Sequence, residues 1–165
     1  GLNTGSKVVF AAAGEKRRTL KQNLPDGFKL STEFSQIKIA IPGVLAIQAN
    51  PYIDATKAAQ EIENLKHQLK DWDLATLPLM VVCDDAVFTA ANINNLVWVT
   101  FTRSNPAADI NGVGDFTVNK HWGCKGPLII DARKKPHHAP ELIKDEIVER
   151  KIDRFWEKGG ALHGI

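Results

Sequence analysis

Sulfur is scarce in this chain of 165 residues, which has two cysteines, Cys83 and Cys124, and one methionine, Met80. Neither cysteine stands at metal-ligand spacing from the other or from a histidine pair, which argues against a zinc module. A reduced, cytoplasmic protein is the expectation. Charge of one sign is missing too. The 21 Lys and Arg residues nearly balance 19 Asp and Glu, for a formal net charge of +2. Nucleic acids and anionic membranes need a concentrated basic footprint, so neither is expected as a partner. The basic runs Lys16-Arg17-Arg18 and Arg133-Lys134-Lys135 are short and read as solvated loops.

No apolar run approaches the roughly 20 residues that cross a bilayer, and no secretory pattern is visible. The serine-nucleophile signature Gly-x-Ser-x-Gly does not occur. Gly112-Val113-Gly114 lacks the third glycine of a dinucleotide loop, and no Lys-Ser or Lys-Thr pair closes a loop of the Walker type. The chain begins at Gly1 rather than methionine, as expected of a piece of a longer protein.

What is present is ordinary for one globular domain, with 44% hydrophobic and 24% charged residues. Short apolar runs read as strands at 6–14, 37–41, 44–49, 79–83 and 127–131. Asp54 is a good N-cap for a helix over 55–70, whose apolar positions Ala58, Ile62, Leu65 and Leu69 recur at helical intervals. A second helix is expected over 92–103, buried by a wide apolar surface. A third is expected over 141–158, with Ile152, Phe155 and Trp156 on its apolar face. The glycine-rich stretch 111–126 reads as a long loop or irregular hairpin. Strands alternating with helices predict an α/β fold with a mostly parallel sheet flanked by helices and a projecting C-terminal helix. Residues 1–35 read as a lead-in strand and linker, and 36–165 as the domain proper.

Candidate chemistry is thin. Asp84-Asp85 follows the strongest strand, at the sheet edge where ligands bind in open α/β folds. Adjacent residues on a strand point to opposite faces, so capping and turn formation outweigh a shared metal. His67, on the helix, reads as solvated, and the neighbours His137 and His138 diverge in an extended segment. His121 beside Trp122 is the histidine with the best claim to a site.

From Leu79 to Trp156 the chain resembles the end of UbiD-type carboxy-lyases, the family of the polyprenyl-hydroxybenzoate decarboxylase of ubiquinone biosynthesis. The resemblance rests on Val81-Val82-Cys83-Asp84-Asp85, then Asn95-Leu96-Val97-Trp98, Thr102-Arg103, Pro106 and Asp109. It continues with Ile129-Ile130-Asp131-Ala132-Arg133-Lys134 and with Ile152-Asp153-Arg154-Phe155-Trp156. Departures are Ala86 and Phe88 after the acidic pair, Asn105 for aspartate before the proline, Arg133 for threonine, and a shorter glycine-rich loop.

The resemblance implies a parent lyase that uses prenylated FMN and a divalent metal to decarboxylate an aromatic or unsaturated acid. Those cofactors and the catalytic residues would belong to preceding domains, the partners of this one. This chain would have no catalytic, cofactor-binding or metal residues of its own. It would supply a cleft wall, with Phe116, His121 and Trp122 on the glycine-rich loop, and a homo-oligomeric interface through Ile152, Phe155 and Trp156. Arg103 and Asp109 would serve internal pairing. A stand-alone accessory or small-ligand-binding subunit remains a competing reading. A nucleotide-dependent enzyme is a weaker one, for want of a phosphate loop.

Overall fold

A computed structural model describes residues 8–9, 11, 13–139 and 145–164. Among these described residues seven strands and four helices follow in order: β1 (Phe34–Ile41), β2 (Val44–Ala49), α1 (Ala55–Leu69), β3 (Leu79–Cys83), α2 (Ala86–Ala90), α3 (Ile93–Thr102), β4 (Ile110–Gly112), β5 (Asp115–Val118), β6 (His121–Cys124), β7 (Leu128–Asp131) and α4 (Glu146–Trp156). The main sheet runs β1-β2-β3-β7-β4. Its three central strands are parallel, and the two edge strands pair antiparallel to their neighbours. The expected α/β class is therefore present.

The central strands read as unbroken apolar runs because both their faces are covered. Alternation splits each run between two layers. Leu45, Ile47, Met80, Val82 and Ile129 face α1, where they meet Ile62, Leu65 and Leu69. Val44, Ala46, Val81 and Cys83 face the other way, onto Ala86, Leu96 and Val99 of α2 and α3.

Pro42-Gly43 turns β1 back onto β2 rather than merely interrupting one strand. Gly43 adopts φ 82°, and a Cβ there would fall 2.9 Å from a methyl of Leu20. Asp54 caps α1 as expected, its carboxylate accepting from the Lys57 N–H at 2.8 Å.

Several expectations change. Of the run 6–14, residues 6, 7, 10 and 12 lie outside the described residues, and none of Val8, Val9, Ala11, Ala13 and Gly14 is in a strand. A short helix, α2, precedes the expected one and is capped by Asp85. The wide apolar surface of α3 is only partly covered: Leu96 and Val99 are buried, while Ile93, Val97 and Trp98 are about half exposed. The final helix is described from Glu146, the first part of its expected span falling in 140–144, outside the described residues. No residue of α4 is buried.

The glycine-rich stretch forms β4 and then a β5–β6 hairpin. Its tight turn places Asn119 at φ 50° and Lys120 at φ 66°. Such a turn suits the twist of the hairpin, but the left-handed conformation is unfavourable for a side chain. Lys120→Gly is expected to stabilise the chain by about 1 kcal/mol in chemical denaturation, with Asn119→Ala destabilising it.

Candidate functional site

The carboxyl ends of β2, β3 and β7 bring Asn50, Asp84 and Asp131 to one edge of the sheet, and the segment after β7 runs across that edge. Its basic run, Arg133-Lys134-Lys135, has the composition of a solvated loop. Arg133 is instead fully buried at 0% exposure, and Lys135 is buried at 7%.

The reason is a set of matched acceptors. Arg133 donates through Nε and Nη2 to the two oxygens of Asp131, at 2.9 and 2.7 Å. Its Nη1 donates to Glu61 of α1 at 2.5 Å and to the Asn50 carbonyl at 3.0 Å. One guanidinium thereby ties the end of β7 to α1 and to the end of β2, in the bidentate geometry that suits arginine. Burial alone would weaken its hold on the proton, but the hydrogen bonds with Asp131 and Glu61 prevail and raise its pKa above the ordinary arginine value.

Lys135 is equally engaged. Its ammonium donates to the carbonyls of Asp131 (2.9 Å), Arg103 (3.1 Å) and Arg133 (3.3 Å), and it lies 3.2 Å from Asp109. Asp109 also accepts from the Asn105 N–H at 2.6 Å. The internal pairing expected of Arg103 and Asp109 is present, though with other partners than each other: Arg103 meets Asp84 at 3.1 Å. Asp84 also accepts from the Lys134 N–H at 2.9 Å, while Asp85 caps α2 by accepting from the Phe88 N–H at 2.9 Å. The acidic pair serves two different structural tasks, as the strand geometry predicts.

Beside this network lies a cavity of about 170 Å³, lined by Tyr52, Ala58, Ile62, Asn105, Asp109 and His137 among others. The Tyr52 ring faces both cations, 5.8 Å from Arg133 Cζ and 5.6 Å from Lys135 Nζ. Cofactor and drug-sized pockets run from roughly 300 Å³ upward, so the cavity suits nothing larger than a very small molecule. His137 and His138 stack edge-on with ring centroids 4.6 Å apart. His138 Nδ1 accepts from the Lys135 N–H at 3.0 Å. Burial, then the neighbouring His137 and Lys135, holds the His138 pKa below its usual value, which favours that neutral acceptor form.

The three loop residues do not share a face. On the β5–β6 hairpin Phe116 opposes Gly123 and His121 opposes Val118, whereas Trp122 opposes Thr117 and points to the other side. A Cβ at Gly123 would meet the Phe116 ring at 2.8 Å, so that ring lies over the glycine. The hairpin is anchored to α1 by Asp115, which pairs with the buried Lys66 at 3.1 Å. The hydrogen bond from Lys66 holds the Asp115 carboxyl below the usual range.

Among the described residues no group of three His, Cys, Asp or Glu is placed to hold a metal. Burial pushes the Cys83 thiol up to about 11, and it sits 3.6 Å from the Ile47 carbonyl. Neither the charged network nor Cys83 offers an available nucleophile, acid or base. The network ties β7, α1 and the ends of β2 and α3 together.

No family model matches the chain. It is similar to an uncharacterized protein of Chlamydia muridarum (strain MoPn / Nigg), 29% identical over 157 residues, which covers 95% of this chain and 25% of that protein. A Chlamydia trachomatis serovar D uncharacterized protein is 27% identical over 161 residues, covering 94% of this chain and 25% of the relative. A Chlamydia pneumoniae protein, named as a subunit of 4-hydroxybenzoate decarboxylase, is 27% identical over 157 residues, again covering 94% of this chain and 25% of the relative. The chain thus spans about a quarter of the length of the curated relatives it matches.

Arg133→Met is expected to cost about 3–5 kcal/mol at neutral pH, because it strands two buried carboxylates. Adding Glu61→Gln should recover part of that loss, and a double-mutant cycle by urea denaturation measures it. Thiol titration of the native chain at neutral pH should modify Cys124 while Cys83 stays unreactive until denaturant is added.

Proposed function

We propose that this chain is the C-terminal structural, active-site-wall and oligomerisation domain of a prenylated-FMN-dependent UbiD-type decarboxylase. The parent would remove carbon dioxide from an aromatic or unsaturated acid of the hydroxybenzoate type. The observation that carries the reading is the likeness, nearly end to end, to a quarter of a protein named as a 4-hydroxybenzoate decarboxylase subunit. The chemistry of the sheet edge is in keeping with it. Arg133, Lys135, Asp84, Asp109 and Asp131 are committed to local ion pairs and hydrogen bonds, which leaves a body that shapes a cleft without reacting in it.

The sheet-edge cavity does not fit the cofactors that such a parent implies. The cavity at the sheet edge is too small for a flavin mononucleotide, and no described ligand set suits a divalent metal. Both would be held by the remaining three-quarters of the parent. On this reading the segment 1–35 leads in from those domains and 36–165 forms the terminal body. Phe116 and His121 on one hairpin face, or Trp122 on the other, would border the cleft. Ile152, Phe155 and Trp156 would join protomers.

The small cavity favours one second reading, an accessory subunit that holds a small polar ligand between Tyr52, Asn105 and Asp109. One assay tests the first reading. The 165-residue chain, supplied with prenylated FMN, a divalent cation and 4-hydroxybenzoate, should show no flavin binding and no carbon dioxide release, while the full-length parent shows both. Flavin retention or turnover by the chain alone would overturn the proposal, as would a full-length parent inert toward every hydroxybenzoate tried.

A further inference from the structure

The amino-terminal edge of the sheet, opposite the charged network, treats its cations differently. There the turn after α1, the β4–β5 turn and the β6–β7 turn surround a cleft of about 420 Å³. That volume lies within the range of small-molecule sites. The floor is apolar, formed by the buried side chains of Leu69, Leu74 and Val113. Trp72 stands in the wall, half-buried and held by an edge-on contact with Phe28, ring centroids 5.0 Å apart.

Arg18, Lys70 and Lys125 line the same cleft, each from a separate stretch of chain. Arg18 Nη1 donates to the Ala75 carbonyl at 2.8 Å, which holds the guanidinium at the rim and leaves its other N–H groups to point elsewhere. The Lys21 N–H donates to the Thr76 carbonyl at 3.3 Å, so the lead-in is tied to this turn at two points. The ammonium groups of Lys70 and Lys125 have no ion-pair or hydrogen-bond partner among the described residues. Two negative features stand against these three cations. Asp73 lines the cleft and accepts from the Ala75 N–H at 3.2 Å. The carboxyl end of α1 adds about half a unit of negative charge. Three full charges outweigh both. Where Arg133 and Lys135 are matched by acids of their own chain, the cations of this cleft are left for a ligand.

We propose that the cleft binds a small organic anion, a carboxylate or phosphate carried on an aromatic or other apolar body. The body lies on the floor beside Trp72, and the anionic group meets Arg18, Lys70 and Lys125. An apolar floor with a few charged groups at its rim is the usual make-up of a site for such molecules, whereas a bare inorganic ion has no use for the floor. The proposal does not depend on the decarboxylase reading. It concerns the far edge of the sheet from the small cavity at Tyr52.

Nuclear magnetic resonance on the 165-residue chain, labelled with nitrogen-15, tests it by titration with phenyl phosphate, benzoate and neutral benzamide. At least one anion should shift the Trp72 indole N–H and the amides of Val113, Gly114 and Lys125, with a Kd on the order of 1 mM, and benzamide should not. The stronger of the two anions distinguishes a phosphate from a carboxylate ligand. Arg18→Gln and Lys125→Gln should each raise that Kd about three- to ten-fold, and added salt should raise it further. Both side chains are exposed, and circular dichroism should find both variants folded. Equal shifts with benzamide would overturn the proposal, as would anion binding that neither variant weakens. Shifts confined to the edge at Tyr52 and His137, or none at roughly 10 mM of either anion, would overturn it as well.

Discussion

A guanidinium sealed from water cannot stand without acceptors, and the way Arg133 is supplied with them organises much of this molecule. Its partners come from three places in the chain: Asp131 two residues earlier, Glu61 on α1, and the Asn50 carbonyl beyond β2. Each is fixed by a separate element, so the cation closes the upper edge of the sheet only when strand, helix and turn are all in position. Lys135 then performs the same service a few residues later, holding the end of α3 and Asp109 against the end of β7. Such ion pairs contribute little net stability compared with apolar packing, yet losing one partner is costly, and this asymmetry makes them selectors of one arrangement.

That edge is also where an open α/β sheet ordinarily binds ligands. Here its charged groups are engaged with one another. The chain's two exposed apolar faces, on α2–α3 and on α4, lie on the helices and not on the charged edge.

The fold is legible in the sequence wherever a single physical rule dominates. Apolar runs bounded by turn residues mark β2, β3 and β7, and the Asp54 cap with its periodic apolar stripe marks α1. The turn at Pro42-Gly43 is visible, but not that it folds β1 back onto β2. The helix α2 escapes notice because five residues carry too little periodicity, although Asp85 reads as a cap. The buried network is hidden because a run of three basic residues usually faces water. A signal for it does exist. Glu61 falls three residues after Ala58 and one before Ile62, on the very stripe that α1 turns to the sheet, and an acid there requires a buried cation. Arg133 supplies it. For Phe116, His121 and Trp122 the glycine-rich stretch points to a hairpin but not to its register, and the register alone decides which of them share a face.

The central claim is that Arg133 is locked in a dry, fully acceptor-matched site and acts as a structural tie. Hydrogen exchange of its Nε–H, followed by nuclear magnetic resonance on arginine-labelled chain at neutral pH, tests this most directly. The account predicts an Arg133 Nε–H signal that persists long after those of exposed arginines such as Arg150 have exchanged. Exchange as fast as that of the surface arginines would contradict it.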